Sequence, residues 1–540
     1  VPIENAAMPE RSVVQWDKDD LDAMRLLKID VLALGMLSAL KRALALTGWC
    51  RAQALTLQTI PGADEATYEM MCRADTIGVF QIESRAQMSM LPRLKPEKFY
   101  DLVVQVAIVR PGPIQGGMVH PYLRRRQKVE EHHCPPGLEH ILSRTLGVPI
   151  FQEQAMQIAK TGAGFSDDEA DELRRSMAAW QRKGGVDKFR AKFLDGMKKH
   201  GYADEFAERL FKQLEGFGEY GFPESHAASF AILAYISAWL KRHEPEAFLV
   251  ALLNSQPMGF YSSRQLVQDA RNHHVAVLPV DIATSLWEAS FEFPAPPPVG
   301  GNTVRPQVRL GFNMIKGLSQ EAGLRIESAR RQQTFSGTHD LALRAALNRH
   351  DMDALAGADA LRSLSGHRRL AHWATANEPF KGLLRPAPLA DTHLPDLPEP
   401  TEGQSTLADY RSLGLTLGRH PVDFLRPALR ARHFVSAAML LKDYPDRRLA
   451  RACGMVTMRQ RPQTAKGIVF VSLEDETGSV NVIVRPDLAE RQRTELTQAG
   501  LLGVYGVWQR HQGTCHLVAS RLVDLSSLLG QLSIPSRNFH

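Results

Sequence analysis

Ile468-Val-Phe-Val-Ser-Leu-Glu-Asp-Glu-Thr-Gly-Ser-Val-Asn-Val-Ile-Val484 decides how the C-terminal part of the chain folds. Two apolar runs rich in β-branched residues, Ile468 to Leu473 and Val480 to Val484, flank Asp475-Glu-Thr-Gly478, where Asp and Gly are turn residues. The stretch reads as two short strands joined by a tight turn. Leu449 to Met458 reads as a strand ahead of it. Leu501 to Trp508 and Cys515 to Val518 read as strands behind it, with a helix over Pro486 to Gln498 before the fourth strand. Five strands with a helix between the third and fourth follow the order of an OB-fold barrel.

Upstream, the reading changes from strand to helix. Phe293-Pro-Ala-Pro-Pro-Pro-Val-Gly-Gly301 cannot be helix or central strand and reads as a linker. Arg385 to Gln404, with five prolines and several acids, reads as an extended, exposed connection. The first part is mostly helical. Asp17 to Leu46 is rich in Leu, Ala and Met, Ser166-Asp-Asp-Glu starts a helix with acids in its first turn, and Ser225 is placed to cap an apolar helix running to Trp239. The middle part is helical with short loops, and no solenoid repeat is present.

Bulk properties bound the function. A chain of 540 residues holds several domains, and 44% hydrophobic with 23% charged residues is a globular composition. No apolar run reaches the roughly 18 residues of a membrane helix, so no membrane partner is expected. The chain begins at Val1 with no initiator Met or signal peptide and reads as a fragment. A net charge of +6 suits a phosphate-bearing partner. Five scattered cysteines with no CxxC argue for a reducing, cytoplasmic setting and against structural zinc.

Four stretches are able to carry chemistry. In Leu26-Leu-Lys-Ile-Asp-Val-Leu32, a strand-like run puts Lys28 and Asp30 on one face. The carboxylate suits Mg²⁺ and the ammonium suits a phosphate, although spacing alone favours a surface ion pair at a helix start. In Val109-Arg-Pro-Gly-Pro-Ile-Gln-Gly-Gly117, a rigid turn carries Arg110, whose planar fork suits phosphate oxygens, and Arg124, Arg125 and Arg126 follow. The alternative is a structural turn beside a solvated basic helix. In Gly218-Glu-Tyr-Gly-Phe-Pro-Glu-Ser-His226, an aromatic turn enters a helix. Tyr220 is able to stack on a base or sugar, and His226 to donate to a phosphate at the helix N-terminus, or both simply pack. Met314-Ile-Lys-Gly-Leu-Ser319 is an apolar-Lys-Gly-apolar turn, the form of a helix-hairpin-helix. There Lys316 and Gly317 would meet a DNA phosphate without reading sequence, or the stretch is an ordinary helical turn, and a weaker copy spans Leu355 to Gly366. A hairpin followed by an OB barrel is the more specific signal, because both track nucleic-acid backbone.

At these residues the chain resembles a known family. Phe80-Gln-Ile-Glu-Ser84, Val109-Arg-Pro-Gly-Pro113 and Tyr220-Gly-Phe-Pro-Glu-Ser-His226 are similar, in order and spacing, to the fingers of the bacterial DNA polymerase III alpha subunit. The resemblance covers essentially the whole chain but only the second half of a family member. Leu27-Lys-Ile-Asp-Val-Leu-Ala-Leu-Gly-Met-Leu37, Phe222-Pro-Glu-Ser225 and Asp409-Tyr-Arg-Ser-Leu-Gly414 are similar to the error-prone, ImuC-type branch. Gln404 to Tyr410 is the nearest approach to a clamp-binding peptide and lacks its closing aromatic.

The resemblance implies a multidomain α+β chain. Residues 1–40 would be the end of a polymerase palm and 41–293 the fingers. Residues 302–384 would form a helix-hairpin-helix domain, 385–430 a linker and approach, and 431–540 the OB-fold β-barrel. It implies that Asp30 is a catalytic, metal-holding carboxylate and that Lys28, Arg110, Tyr220 and His226 face the incoming nucleotide. The implied reaction is attack of a primer 3′-hydroxyl on the α-phosphorus of a deoxynucleoside triphosphate, with Mg²⁺ as cofactor and pyrophosphate released. Implied partners are primer–template DNA, deoxynucleoside triphosphates, accessory mutagenesis proteins including a polymerase-like adaptor, and the sliding clamp indirectly. The family's other two palm aspartates lie in a Pro-Asp-Ile-Asp-like segment that this sequence lacks, so the chain by itself is expected not to extend a primer. Two other readings stand beside this one: the replicative alpha subunit, and a non-enzymatic DNA-binding module.

Overall fold

The computed structural model describes all residues except 7–11, 17, 27–33, 111–112, 115, 132–133, 175–186, 217–222, 294–304, 377–395, 463–464, 466, 512–513, 531–536 and 540. The chain opens with a short antiparallel hairpin of β1 (Ile3–Asn5) and β2 (Ser12–Val14), then the helices Lys18–Ala23 and Leu34–Cys50. The strand expected at 26–32 falls almost wholly on residues outside the described set.

Two helices that are apolar on nearly every face organise the first part of the chain, because such helices are stable only when surrounded. Phe99–Ile108 is buried from Asp101 onward and packs along Glu224–His243. Pro245–Leu253, buried from Glu246 to Leu253, packs on Leu34–Cys50. Capping follows the sequence in several places. Asp64 accepts from Thr67 N at the start of Glu65–Cys72. Ser166 and Glu169 each donate a backbone N–H to the other's side-chain oxygen, as the Ser166-Asp-Asp-Glu pattern predicts. The Ser225 cap does not form. The helix Glu224–His243 starts two residues earlier than such a cap requires, with Pro223 at its N-cap, and Glu224 N–H donates to Glu153 Oε2 at 2.9 Å. The acceptor is a carboxylate from another helix, which local spacing does not announce.

The proline-rich stretch after Glu292 has strands on both sides that belong to one sheet. β3 (Val277–Leu278), β4 (Ser290–Glu292) and β5 (Gln307–Arg309) align in the order β3-β5-β4, with β4 antiparallel and β3 parallel to β5. The middle part, read as purely helical, therefore begins with a strand. A single apolar core runs from Met36 to Leu415, through the first and middle parts of the chain alike. The connection expected to be extended as far as Gln404 gives way earlier to the helix Glu402–Ser412, which Thr401 caps by accepting from Gln404 N. The helix Pro421–Ala431 leads on to the barrel.

The barrel has the expected order. β6 (Leu449–Gln460), β7 (Val469–Asp475), β8 (Gly478–Val484), β9 (Leu501–His511) and β10 (Thr514–Asp524) are joined as β6-β7-β8-β10-β9, and β6–β9 pairing closes the ring. The helices Pro486–Arg491 and Arg493–Gln498 sit between β8 and β9. A short β11 (Arg537–Phe539) adds to β6 in parallel. The Asp475–Gly478 turn forms as read: Asp475 Oδ1 accepts from Thr477 N at 2.8 Å and from Gly478 N at 3.1 Å. The other oxygen of Asp475 accepts from Ala437 N and pairs with buried Arg426, both at 2.8 Å, which pins the turn to the preceding helices. Gly506 is obligatory, since a Cβ there would lie 2.2 Å from Val518 O on the paired strand. Among the described residues no helix is long and apolar enough to cross a membrane.

Candidate functional site

The turn Phe80–Gln81 is where the finger motifs meet. Gln81 adopts φ +62°, and Ser84 then caps the helix Arg85–Leu94 by accepting from Gln87 N. Arg110, just beyond the carbonyl end of Phe99–Ile108, donates from Nη2 to Gln81 Oε1 at 2.7 Å and from Nε to Val106 O at 3.3 Å. Phe80 N donates to Ser237 Oγ at 3.1 Å. The Phe80 ring meets Phe230 edge-on at 5.2 Å, and Phe230 lies 4.2 Å from the His226 ring. Arg110 and His226, 116 residues apart in sequence by their numbers, thus reach the same short turn, Arg110 directly and His226 through Phe230. Lys28, Asp30 and Tyr220 lie outside the described residues.

The helix that carries His226 is fixed at its first residue. Glu224 Oε1 accepts from Tyr100 Oη at 2.8 Å and pairs with Arg144 at 3.3 Å, while the Arg144 guanidinium stacks 3.8 Å over the Tyr100 ring. Burial, and then the Glu224 carboxylate, push the Tyr100 phenol above its ordinary range, so it remains a donor.

The basic run divides by depth. Arg126 turns inward and donates to Leu94 O, Lys95 O and the buried Asp101 carboxylate, the last at 2.9 Å. Arg125 donates to Leu146 O at 2.8 Å. Arg124 stays 64% exposed with only a 3.4 Å contact to Glu130 among its described ion pairs, so its charge is the most accessible of the three. In the hairpin, Gly317 takes φ +87° and begins the connection to Gln320–Gln332, whose N-cap is Ser319. Lys316 N–H donates to Ser412 O at 2.9 Å and Lys316 Nζ to Tyr410 O at 3.1 Å. The hairpin lysine therefore sits on the carbonyl end of Glu402–Ser412, the negative pole of that helix. The weaker copy is also a turn between helices, with Asp359 at φ +58° and Gly366 at φ +83°.

Sequence reading missed a cleft of about 770 Å³ between the fingers and the barrel. Its finger wall includes Arg85, Met88 and Tyr261; its barrel wall includes Phe470, Asn481 and His516. The strands β7 and β8 on this wall form the face with which OB folds commonly hold ligands. Arg85 donates to Asn481 Oδ1, and its Nε has no hydrogen-bond partner and no solvent contact. His516 Nδ1 is likewise unpartnered. Burial, then the nearby Arg85 charge, lowers the His516 pKa below the ordinary imidazole value. The only sequence signal was position: Arg85 directly follows the Phe80–Ser84 motif.

Another unforeseen cluster joins Asp75, Asp269 and His273, whose ligand atoms lie close enough for a metal ion. The ammonium of Lys241 already occupies that role, 3.1 Å from Asp75 and 2.7 Å from Asp269, and Lys241 is only 3% exposed. His273 Nε2 is 2.6 Å from Asp75 Oδ2. Burial disfavours the Asp75 carboxylate, but the His273 hydrogen bond and the Lys241 charge outweigh it and hold its pKa at about 2. Burial raises Asp269 against the pull of Lys241. The bond to Asp75, against burial, raises His273. A cation is built into this cluster, so it is a brace between helices and not a metal centre.

Comparison with known proteins follows the same divisions. Residues 36–201 match the bacterial DNA polymerase III alpha subunit finger domain, 274–371 a helix-hairpin-helix motif, and 450–525 an OB-fold nucleic acid binding domain. The chain is 66% identical over 547 aligned residues to an error-prone DNA polymerase of Bordetella bronchiseptica, covering 100% of this chain and 51% of the relative. It is 59% identical over 555 residues to one of Burkholderia pseudomallei and 57% over 546 residues to one of Azoarcus sp., again covering 100% of this chain and 51% of each relative. The chain spans about half the length of the curated relatives it matches.

Proposed function

Because the chain belongs along its whole length to the error-prone DNA polymerase family and matches a C-terminal part of its members, we propose that it supplies the fingers, hairpin domain and barrel of a DNA-directed DNA polymerase acting in damage-induced translesion synthesis. The observation that carries this reading is the gathering of Arg110 and His226 at the Phe80–Gln81 turn, within a chain similar throughout to such polymerases. Two donors, one guanidinium and one imidazole, then face the phosphates of an incoming deoxynucleoside triphosphate, with Lys28 and Tyr220 completing the set. Asp30 is assigned a share of Mg²⁺ binding on the resemblance alone. It lies outside the described residues, so no geometry and no step is drawn through the metal.

DNA is gripped by charge and backbone amides. Arg124 offers the exposed guanidinium of the finger helix, and the Gly317 turn offers backbone to a phosphate. Arg125 and Arg126 support that helix from beneath, through Leu146 O and Asp101. Gln404 to Tyr410 lies in a helix with Thr406 and Tyr410 buried, a form unsuited to the extended peptide a clamp takes. Clamp contact through accessory mutagenesis proteins, including a polymerase-like adaptor, is the reading we adopt. Strong direct stimulation of the complete polymerase by a sliding clamp would instead favour the replicative alpha subunit.

Duplex binding by this chain tests the DNA surface. Log affinity is expected to fall steeply and linearly with log salt, since each neutralised phosphate releases counterion. Arg124→Ala is expected to weaken binding evenly across sequences and to reduce the slope by about one. Fluorescence anisotropy over a salt series reads both; a flat salt response for the wild-type chain would remove the finger surface as a DNA contact.

A further inference from the structure

Gln81 keeps a side chain where the backbone favours glycine. Its φ of +62° lies in the left-handed region, which is unfavourable for a residue with a Cβ and free of strain for glycine. The turn is imposed from both sides. Ile82 N–H donates to Phe80 O at 2.8 Å, Ile82 O accepts from the buried Thr76 hydroxyl at 2.8 Å, and Phe80 N–H donates to Ser237 Oγ at 3.1 Å. Ile82 is fully buried and Phe80 nearly so. With both neighbours fixed, the Gln81 side chain is aimed, and what it reaches is Arg110: Gln81 Oε1 accepts from Arg110 Nη2 at 2.7 Å.

Arg110 is also drawn elsewhere. It follows the last turn of Phe99–Ile108, and its Nε donates to Val106 O at 3.3 Å, four residues back. Carbonyls at a helix C-terminus carry partial negative charge and draw a cation back onto the helix. A second acceptor on another segment holds the planar fork in one orientation instead. That acceptor is an amide, so it orients the fork without adding negative charge. A carboxylate in its place would pair with the guanidinium and offset the charge that a phosphate needs. Unfavourable backbone persists where surrounding structure over-determines it, and it gathers where a site must be pre-organised.

We propose that Gln81 is a positioning residue for the incoming deoxynucleoside triphosphate: its amide oxygen, locked by the left-handed turn, sets the Arg110 guanidinium toward the phosphates. The proposal rests on the reading of Arg110 as nucleotide-facing.

Single-turnover primer extension by a complete polymerase containing this sequence, with one correct nucleotide varied in concentration, tests it. Arg110→Met is expected to raise the half-saturating nucleotide concentration by about tenfold or more, the loss of a charge-assisted contact. Gln81→Met, which removes the acceptor at similar length, is expected to raise it by about fivefold, with the maximal rate and the thermal midpoint changed less. In the Arg110→Met background the same substitution should add less than about twofold, because no guanidinium remains to be oriented. Gln81→Glu distinguishes positioning from support: its stronger ion pair should hold or raise the thermal midpoint, yet nucleotide affinity should fall as the carboxylate offsets the Arg110 charge. Gln81→Gly, unstrained at this φ, takes the place of the Met variant if that variant fails to fold. Affinity lost with Arg110→Met but kept with Gln81→Met overturns the proposal and leaves the role of Arg110 standing. So does a loss from Gln81→Met that is equal with and without Arg110, or a Gln81→Glu enzyme that binds nucleotide as wild type does. An Arg110→Met enzyme with unchanged nucleotide affinity overturns the reading of Arg110, and the proposal with it.

Discussion

Asp30→Asn, placed in a complete polymerase containing this sequence, is expected to cut nucleotide incorporation by on the order of a thousandfold or more while primer–template affinity holds. The substitution keeps side-chain size but replaces an anionic oxygen with a neutral one, and hard divalent cations depend on that charge. About 4 kcal/mol of lost transition-state stabilisation corresponds to such a factor. Single-turnover primer extension with all four nucleotides measures the rate, and anisotropy measures binding. A non-enzymatic DNA-binding module predicts no change in incorporation, so a rate within a few-fold of wild type sinks the catalytic assignment. A parallel loss of DNA affinity would instead place Asp30 in the structural support of the fingers.

The second large effect concerns stability. Lys241→Met is expected to destabilise the fingers by about 3–5 kcal/mol, because it leaves Asp75 and Asp269 facing each other without their buried cation. Adding Asp75→Asn and Asp269→Asn should restore most of the loss, since neutral partners need no counter-charge. The loss should also depend on pH in a definite direction. Asp75, with its pKa lowered from 3.8 to about 2, stabilises the fold above 3.8 and loses that contribution as pH falls toward 2. His273, with its pKa raised from 6.5, stabilises fully below 6.5 and loses that contribution as pH rises through its folded value. Asp269, raised from 3.8, has the same sign as His273. Protonated His273 partly replaces the missing ammonium, so the Lys241→Met deficit should widen from mildly acid to alkaline pH. Thermal unfolding across pH checks it; a deficit that is constant, or narrower in alkali, would remove His273 from the network.

The barrel was legible because its information is local. Asp475 and Gly478 sit within the turn they form, and β-branched runs flank it, so strand order could be read directly. The Lys316–Gly317 turn was legible for the same reason, and its partner was not. Ser412 lies 96 positions away by number, and nothing near Lys316 indicates that a helix end will take its N–H. The missing Ser225 cap, the Lys241 brace and the Arg85 cleft share this cause. Each depends on which distant segment arrives at a given surface, which periodicity leaves open. The finger motifs were visible as motifs, yet the Gln81–Arg110 bond and the Phe80–Phe230–His226 contacts that unite them needed the fold.

The proline-rich stretch suggested a frontier between independent bodies, but β4 and β5 on its two flanks are neighbours in one sheet, and Val308 and Phe312 just beyond it are fully buried in the common core. Cohesion there does not run through the covalent chain. A protease cut between positions 294 and 304 should yield two bands in denaturing gels and one particle in gel filtration. The same place is a natural point at which to divide the coding sequence, with the two halves co-expressed and left to find each other.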